Sequence, residues 1–328
     1  MKRFKNILYV NEPTVGQSST LARAFSLAEQ NQADLTILDV IPPGFLERIG
    51  LSSDETVSDA RRKAVFDDHR KDLESLVQSF RHSPVRLDVL VGRTFLEVIR
   101  TVLKNACDLV IKPAENPTWS QRLFGSDDLH LLRKCPCPIW LMKSPEKPDY
   151  KTILAAVDFD PLNPVGSDRD LNREILELAC SLALSNFASL HLVHAWEPFA
   201  EKTTLSRAGG LGEDVGGYVE KEHAQHRQGL YKLVAELQGW IGKESYEYLA
   251  PTLHLIKGSP KKMVAQVAEE LQADLVVMGT VARTGISGLI IGNTAEAILD
   301  QLRCSVLAIK PPGFQTPVRV DSGAGKEP

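Results

Sequence analysis

The fold of this chain is decided by a stretch that occurs twice, as Cys107-Asp108-Leu109-Val110-Ile111 in the first half and as Ala273-Asp274-Leu275-Val276-Val277 in the second. A glycine precedes each stretch at the same spacing, Gly92 in the first half and Gly258 in the second, with a helical pattern in between. Short and nearly continuous apolar runs are typical of parallel strands that helices cover on both faces. The chain therefore contains the same helix-and-strand unit in duplicate.

The duplication extends over nearly the whole chain. Both halves begin with an apolar strand pattern, at Asn6 and at Thr152, and both end with one, at Ile139 and at Val306. Strand and helix patterns alternate between these ends, and this alternation indicates doubly wound α/β domains. We predict two tandem Rossmann-like domains with five-stranded parallel sheets. Their predicted ranges are 1–147 and 148–314, and the Gly-, Pro- and charge-rich tail over 315–328 is expected to be disordered.

Composition places the chain among ordinary proteins with packed cores. Its 328 residues are enough for two domains, and a net charge of −4 gives no sign of nucleic-acid binding or of attraction to an acidic membrane surface. No apolar run approaches the ~20 residues of a membrane-spanning helix, and the basic start at Lys2 and Arg3 lacks the apolar stretch of a secretory signal. We therefore expect a cytoplasmic protein whose five cysteines are buried thiols.

A glycine-rich loop follows the repeated strand in the second half. It runs from Gly279 to Gly292-Asn293-Thr294, where a helix pattern starts. Glycine lets the backbone approach a ligand closely, and the N–H groups at a helix start attract phosphate. No lysine follows the last glycine, so the loop is not a Walker motif, and its outer glycines are too far apart for the dinucleotide fingerprint. The loop either binds phosphate or is shaped only for packing.

At these residues the chain resembles the universal stress protein family, whose ATP-binding members carry Gly-x-x-Gly, nine residues and then Gly-Ser/Thr. Gly279, Ala282 and Gly292-Asn293 fit this frame, with Ala282 in place of the second glycine and Asn293 in place of Ser/Thr. The whole-chain duplication is similar to the tandem-domain branch of that family. The resemblance implies a stress-response function and an ATP-like nucleotide, with or without Mg²⁺, bound through the backbone of residues 279–282 and 292–294.

The carboxyl ends of the second-half strands complete the predicted site, since open α/β sheets bind ligands at that edge. Small or apolar residues and one acid meet there: Ala156, Asp158, Ala195, Met278 and Gly279. The resemblance implies that Asp158 hydrogen-bonds the nucleotide and that Ala195 and Met278 line the adenine. Asp158 could also cap the next helix, and one residue can do both.

The corresponding loop is degenerate in the first half. Pro113 takes the place of Gly279, and proline fixes φ and removes a hydrogen-bond donor. Glu115 would repel a phosphate, and only Gly125-Ser126 remains of the glycine frame. We predict that the first half binds no nucleotide and is a structural or partner-binding copy.

Catalytic and metal-binding signals are weak. His223 and His226 share a helix face, and His191 and His254 lie on strands that could be neighbours, but no carboxylate or cysteine completes a convincing metal-ligand set. Efficient phosphoryl transfer needs a positioned cation and a metal-binding acid, and no dedicated pair is evident. We predict no metal site, and at most weak ATP hydrolysis.

Three functions remain open from the sequence. The first is a stress-response sensor or regulator that binds a nucleotide or related phosphate ligand in its second half. The second is a weak ATPase. The third is a scaffold that binds a lipid-like or protein partner and no nucleotide, which the extra methyl group of Ala282 favours.

The last strand pattern of each half is apolar, over residues 139–142 and 306–309, and an exposed apolar edge strand promotes aggregation. In the family that the chain resembles, two subunits pair these strands across a two-fold axis. Because tethering raises the effective concentration, the resemblance implies antiparallel pairing within one chain, as an intramolecular pseudo-dimer. A homodimer formed through another face, or a protein partner, stays open.

Overall fold

The computed structural model describes residues 4–48, 55–80, 84–115, 126–143, 145–162, 167–198, 215–280 and 292–319. The described parts of residues 4–148 and of residues 149–313 each form a compact unit, the N-terminal unit and the C-terminal unit. Of the predicted tail, residues 320–328 lie outside the described residues, and residues 315–319 contain neither helix nor strand.

The N-terminal unit combines a parallel sheet with helices. Its strands are β1 Asn6–Val10, β2 Asp34–Ile41, β3 Val85–Val91, β4 Leu109–Pro113 and β5 Ile139–Met142. Its described helices are α1 Ser18–Asn31, α2 Pro43–Arg48, α3 Glu55–Leu76, α4 Thr94–Asn105 and α5 Asp127–Lys134, and a short 3-10 helix follows α3 at Gln78–Phe80. The strand order is β3-β2-β1-β4-β5, and neighbouring strands run parallel.

The C-terminal unit repeats this plan. Its strands are β6 Thr152–Ala156, β7 Ser189–Trp196, β8 Thr252–Lys257, β9 Leu275–Gly279 and β10 Ser305–Ile309. Its described helices are α6 Ser167–Asn186, α7 Val215–Ile241, α8 Lys243–Leu249, α9 Pro260–Glu270 and α10 Asn293–Leu299. The strand order is β10-β9-β6-β7-β8, again with parallel neighbours.

The topology of the two units is the same. In each sheet the chain starts in the middle, moves outwards over two strands, and then returns to the other side of the first strand. The strand order therefore reverses between β1 and β4 and between β6 and β9, and doubly wound sheets bind ligands at such a point. Pairing begins at equivalent registers, Ile7 with Leu109 and Ile153 with Leu275. The predicted doubly wound domains with five-stranded parallel sheets are confirmed.

The repeated aspartate ties the first strand of each unit to the fourth. The carboxylate of Asp108 accepts hydrogen bonds from the two backbone N–H groups at the entry of β1, at 2.7 and 3.1 Å. The carboxylate of Asp274 accepts from the two N–H groups at the entry of β6, at 2.6 and 3.0 Å. Hydrogen bonds to a charged acceptor are the strong ones, so each aspartate helps to fix where its strand begins to pair.

The repeated glycine closes the turn after the third strand. The N–H of Gly92 donates to the last carbonyl of β2 at 3.1 Å, and the N–H of Gly258 donates to the last carbonyl of β7 at 2.8 Å. A Cβ on Gly92 would lie 2.6 Å from Cγ of Glu97, and a Cβ on Gly258 would lie 2.9 Å from Cγ of Met263. A side chain at Gly92 would therefore force Glu97 to move, and Gly258 also has φ +144°, which residues other than glycine rarely adopt.

The core of each unit lies between the central strands and the helices. Leu8 and Val110 in one sheet, and Leu154 and Val276 in the other, are fully buried. Burying such a side chain stabilises the fold by roughly 1.5–3 kcal/mol. The rigid sheets that result hold the ends of their strands in place.

Candidate functional site

The predicted site lies at the carboxyl edge of the sheet in the C-terminal unit, where β6 and β9 are neighbours. Ala156, the last residue of β6, pairs with Met278 of β9. Gly279 ends β9, and the N–H of Gly292 donates to the carbonyl of Thr280 at 2.9 Å. This hydrogen bond brings the start of α10 to the end of β9, so the predicted strand ends and the predicted helix start come together.

The start of α10 provides polar groups beside the end of β9. Gly292 precedes the helix with φ −63° and ψ 136°, and it has no side chain to cap the first turn. Asn293 and Thr294, the first two helical residues, are exposed. Ala282, with the rest of the loop over residues 281–291, lies outside the described residues.

Gly279 lies close to a helix of the same unit. Neither Gly279 nor Gly292 is among the described glycines with positive φ. A Cβ on Gly279 would lie 2.8 Å from Cδ2 of Leu171 in α6. The close approach expected of this glycine is therefore made by a helix of the same unit, which packs directly against the end of β9.

Asp158 lies two residues beyond β6, and its side chain is exposed at the edge of the sheet. The backbone of Asp158 is held by Asn172 of α6, and the Asn172 side chain is buried. The N–H of Asp158 donates to Oδ1 of Asn172 at 3.2 Å, and Nδ2 of Asn172 donates to the carbonyl of Asp158 at 2.7 Å. This reciprocal pair fixes the chain that presents the carboxylate. The sequence had not identified Asn172.

Ala195 presents its backbone to the space beyond the end of β6. The N–H of Val157 donates to the carbonyl of Val193 at 3.0 Å, while the N–H of Gly258 donates to the carbonyl of Trp196 on the opposite side of β7 at 2.8 Å. Because the hydrogen-bonding direction alternates along a strand, the N–H and C=O of Ala195 point to the same side as those of Val193. A donor and an acceptor thus lie side by side next to Asp158.

An aromatic and histidine cluster forms one wall beside this edge, and the sequence had not predicted it. Phe159 stacks on His194 with 3.9 Å between ring centroids, and the rings of Trp196 and His226 are 5.1 Å apart. A Cβ on Gly229 of α7 would lie 2.5 Å from Cε2 of Phe159. The alternation along β7 puts His194 and Trp196 on one face of the sheet, and that alternation was the available signal.

The two histidines of this wall form a directed chain of hydrogen bonds. Nδ1 of His194 lies 3.2 Å from the carbonyl of Val157, which can only accept, so this nitrogen carries the proton. In the neutral form of His194, Nε2 then accepts from Nδ1 of His226, 2.9 Å away. His194 is buried, and these hydrogen bonds connect α7 to Val157, the residue that precedes Asp158.

The equivalent edge of the N-terminal unit is occupied by its own ions. Lys112 takes the register position of Met278 and is fully buried. Its Nζ lies 3.0 Å from Glu12, 3.2 Å from Glu115 and 2.9 Å from Asp128. Asp128 is the second residue of α5, as Thr294 is of α10. Three carboxylates therefore surround a buried lysine at the edge where the C-terminal unit has Met278.

The pKa values of this ion cluster follow from its burial. Burial alone lowers the pKa of Lys112, but the charges of Asp128, Glu12 and Glu115 outweigh that effect and leave it raised. Burial, and then the charge of Asp128, raises the pKa of Glu115 to about 7. The lysine thus stays charged, and one of the three acids is close to titrating at neutral pH.

A second polar chain extends along the same edge of the N-terminal unit. Nε2 of Gln17 donates to Oδ1 of Asn11 at 2.6 Å, and Nδ2 of Asn11 donates to Oδ1 of Asp39 at 2.7 Å. Asp39 also pairs with Nδ1 of His69 in α3. These hydrogen bonds resemble those through His194 in the C-terminal unit. In both units a buried residue of the second strand joins the end of the first strand to a histidine on the long helix.

Among the described residues, no group of three or more His, Cys, Asp or Glu side chains is arranged to hold a metal ion. Nδ1 of His191 and Nε2 of His254 are 3.0 Å apart, so these two strands are neighbours. Burial lowers the pKa of both imidazoles. His226 bonds to His194 rather than sharing a site with His223. Within the residues that the structure describes, no helix is long and apolar enough to cross a membrane.

Comparison with known proteins places this architecture among its relatives. A family model described as "Universal stress protein family" matches residues 3–143 and again residues 149–310. The chain is 31% identical to Universal stress protein E of Escherichia coli K12, over 98% of both chains. It is 29% identical to the Universal stress protein E homolog of Haemophilus influenzae, over 94% of this chain and 98% of that protein.

Solved structures give the same picture of the fold. A crystal structure titled as a putative universal stress protein from Pseudomonas aeruginosa UCBPP-PA14 matches with a TM-score of 0.65 and 27% identity, over 94% of each chain. A universal stress protein from Archaeoglobus fulgidus matches with a TM-score of 0.60 at 16% identity, over 93% of this chain and 96% of that one, which shows a shared fold.

Proposed function

Because the chain belongs to the universal stress protein family, we propose that it is a stress-response sensor or regulator that binds an ATP-like nucleotide in its C-terminal unit. The observation that carries the proposal is the contrast between the two sheet edges. Ala156, Ala195 and Gly279 line one edge with small side chains, whereas the Lys112 cluster fills the other.

The proposed pose follows the polar groups of the edge. The N–H and C=O of Ala195 match the acceptor and donor on the edge of an adenine ring. Met278, on the central strand β9, lines that ring. Asp158 accepts from the ribose hydroxyls. The phosphates extend past Gly279 to the backbone of residues 292–294, with Mg²⁺ bound to the phosphates where it is present.

Turnover is proposed to be absent or slow. Efficient phosphoryl transfer needs a positioned cation and a metal-binding acid around the reacting phosphate. The sequence of the loop and strand ends offers no such dedicated pair. A sensor needs only a difference in ligand occupancy, which binding alone provides.

The N-terminal unit is proposed to be a structural or partner-binding copy. With the predicted domain ranges 1–147 and 148–314, we also propose that β5 and β10 pair antiparallel within the chain. Small-angle scattering of the full chain should then give one compact particle. A distance distribution with the two separate maxima of an open dumbbell would exclude the pairing.

Calorimetric titration of the full chain with ATP, with and without Mg²⁺, tests the nucleotide site. Asp158→Asn removes a charged acceptor and should weaken binding by about 1.5 kcal/mol, roughly tenfold in Kd. Glu12→Gln is the matched control at the equivalent position of the N-terminal unit and should leave Kd unchanged. The reverse pattern would move the site to the N-terminal unit.

The alternatives give different results in the same assay. No heat of binding at millimolar ATP would contradict the nucleotide proposal and favour the scaffold. Native mass spectrometry of the purified protein would then show a retained acyl compound if the partner is lipid-like. Phosphate release during the titration, above that of a buffer blank, would instead favour the weak ATPase.

A further inference from the structure

Two thiols of the N-terminal unit lie in contact, away from the edge discussed above. Cys135 follows the last residue of α5, Cys137 lies just before β5, and their Sγ atoms are 3.6 Å apart. Both side chains are buried, Cys135 completely and Cys137 with 8% exposed. None of the five cysteines of the chain is in a disulfide in this structure.

The backbone between these thiols favours an intramolecular reaction. Pro136 separates them and fixes its own φ, so few conformations are available to the turn. The N–H of Cys135 is held by the carbonyl of Leu131 at 2.9 Å, which anchors the turn to the end of α5. A disulfide across one intervening residue closes a small ring, and strained disulfides are the labile, regulatory ones rather than the structural ones.

We propose that Cys135 and Cys137 are a peroxide-oxidisable thiol pair that closes reversibly to a disulfide. In the first step the Sγ of Cys137 attacks one oxygen of hydrogen peroxide, which gives a sulfenic acid and releases water. In the second step the Sγ of Cys135 attacks the sulfenic sulfur, the S–S bond forms, and a second water leaves. The two sulfur atoms together lose two electrons, the peroxide gains them, and both thiol protons end in water.

The surroundings make this a slow reaction that suits sustained oxidative stress. The hydrogen bond with Cys135, and then burial, raises the pKa of Cys137 well above its ordinary value. Since the thiolate is the nucleophile, little of it forms at neutral pH, and the rate should rise as the pH rises. The bond would join the end of α5 to the start of β5, and α5 carries Asp128 of the ion cluster in its first turn.

The test uses the full chain in native buffer with excess hydrogen peroxide. Samples are quenched over time, denatured and alkylated with N-ethylmaleimide, and their intact masses are recorded. The wild type should lose two of its five alkylation sites in one step, peptide mapping should assign both to Cys135 and Cys137, and dithiothreitol should restore them. Cys135→Ser and Cys137→Ser should each abolish the reversible loss of two sites, because the bond needs both sulfur atoms.

Cys180→Ser is the matched control, because Cys180 is also buried, and burial, followed by the charge of Glu177, raises its pKa to about 12. This variant should keep the wild-type loss of two sites. The proposal is overturned if Cys135 and Cys137 stay alkylatable while other cysteines oxidise, if they pass irreversibly to sulfinic acids, or if the mapped bond includes Cys107. The wild-type peptide map decides even if a serine variant fails to fold.

Discussion

At the carboxyl edge of the N-terminal unit, Lys112 lies among three carboxylates, whereas Met278 takes the same register position in the C-terminal unit, next to Ala156. The strands below both edges have the same order and direction. The difference therefore arises at the strand ends and not in the order or direction of the strands. The N-terminal edge is filled by its own ions, and the C-terminal edge keeps small residues that leave room for the proposed ligand.

The largest effect should come from breaking the ion cluster. Lys112→Met gives the N-terminal unit the residue of the C-terminal unit, but it leaves buried Asp128 and half-buried Glu12 and Glu115 without their cation. We expect a loss of about 3–5 kcal/mol in the free energy of unfolding, measured by urea denaturation. Met278→Leu is the control and should cost about 1 kcal/mol or less. Equal losses in the two variants would show that the ion pairs of Lys112 do not stabilise the N-terminal unit.

The next test addresses what the units share. Asp108→Ala and Asp274→Ala each remove two charge-assisted hydrogen bonds at the entry of a strand. Each should cost about 3 kcal/mol, and the two losses should agree, since the geometry is repeated. Denaturation of both variants measures this. A loss confined to one of them would mean that the repeated aspartates have different roles.

A smaller effect separates the two histidines of α7. His226→Ala leaves Nε2 of buried His194 without its donor and should cost about 2 kcal/mol. His223→Ala, at an exposed position one helical turn away, should change stability by less than about 0.5 kcal/mol. Thermal melting compares the two variants. A larger loss for His223→Ala would contradict the hydrogen-bond chain through His194.

The fold could be predicted because its signals are local and repeated. Spacing from Gly92 to Asp108 recurs from Gly258 to Asp274, and each of these residues turned out to have a backbone partner in its own unit. Apolar runs of strand length could then be matched between the halves. Parallel order followed from the alternation of strands and helices.

The site could be predicted only in part. Strand ends such as Ala156 and Gly279 follow from the position of each strand. Asn172 and the bond between His194 and His226 join elements that are distant in sequence, and no pattern in one sequence specifies such pairs. Glu115 was expected to repel phosphate, but its ion pair with Lys112 became visible only in three dimensions.

The last stability test concerns the charge balance of the cluster. The pKa of Glu115, raised to about 7 from 4.5, is higher in the folded protein than in the unfolded chain. Its contribution to stability is therefore complete below about pH 4.5 and is lost as the pH rises through about 7. The melting temperature of the wild type minus that of Glu115→Gln should fall between about pH 5 and pH 8. A difference that stays flat or rises would contradict this assignment.

The central claim is that the C-terminal unit binds nucleotide and the N-terminal unit does not. Hydrogen–deuterium exchange of the full chain, with and without saturating ATP, tests it most directly because both edges are read in one sample. Exchange should slow at residues 156–159 and 292–299 and remain unchanged at residues 11–17 and 112–115. Slower exchange at the N-terminal edge, or no change at either edge, would contradict the account.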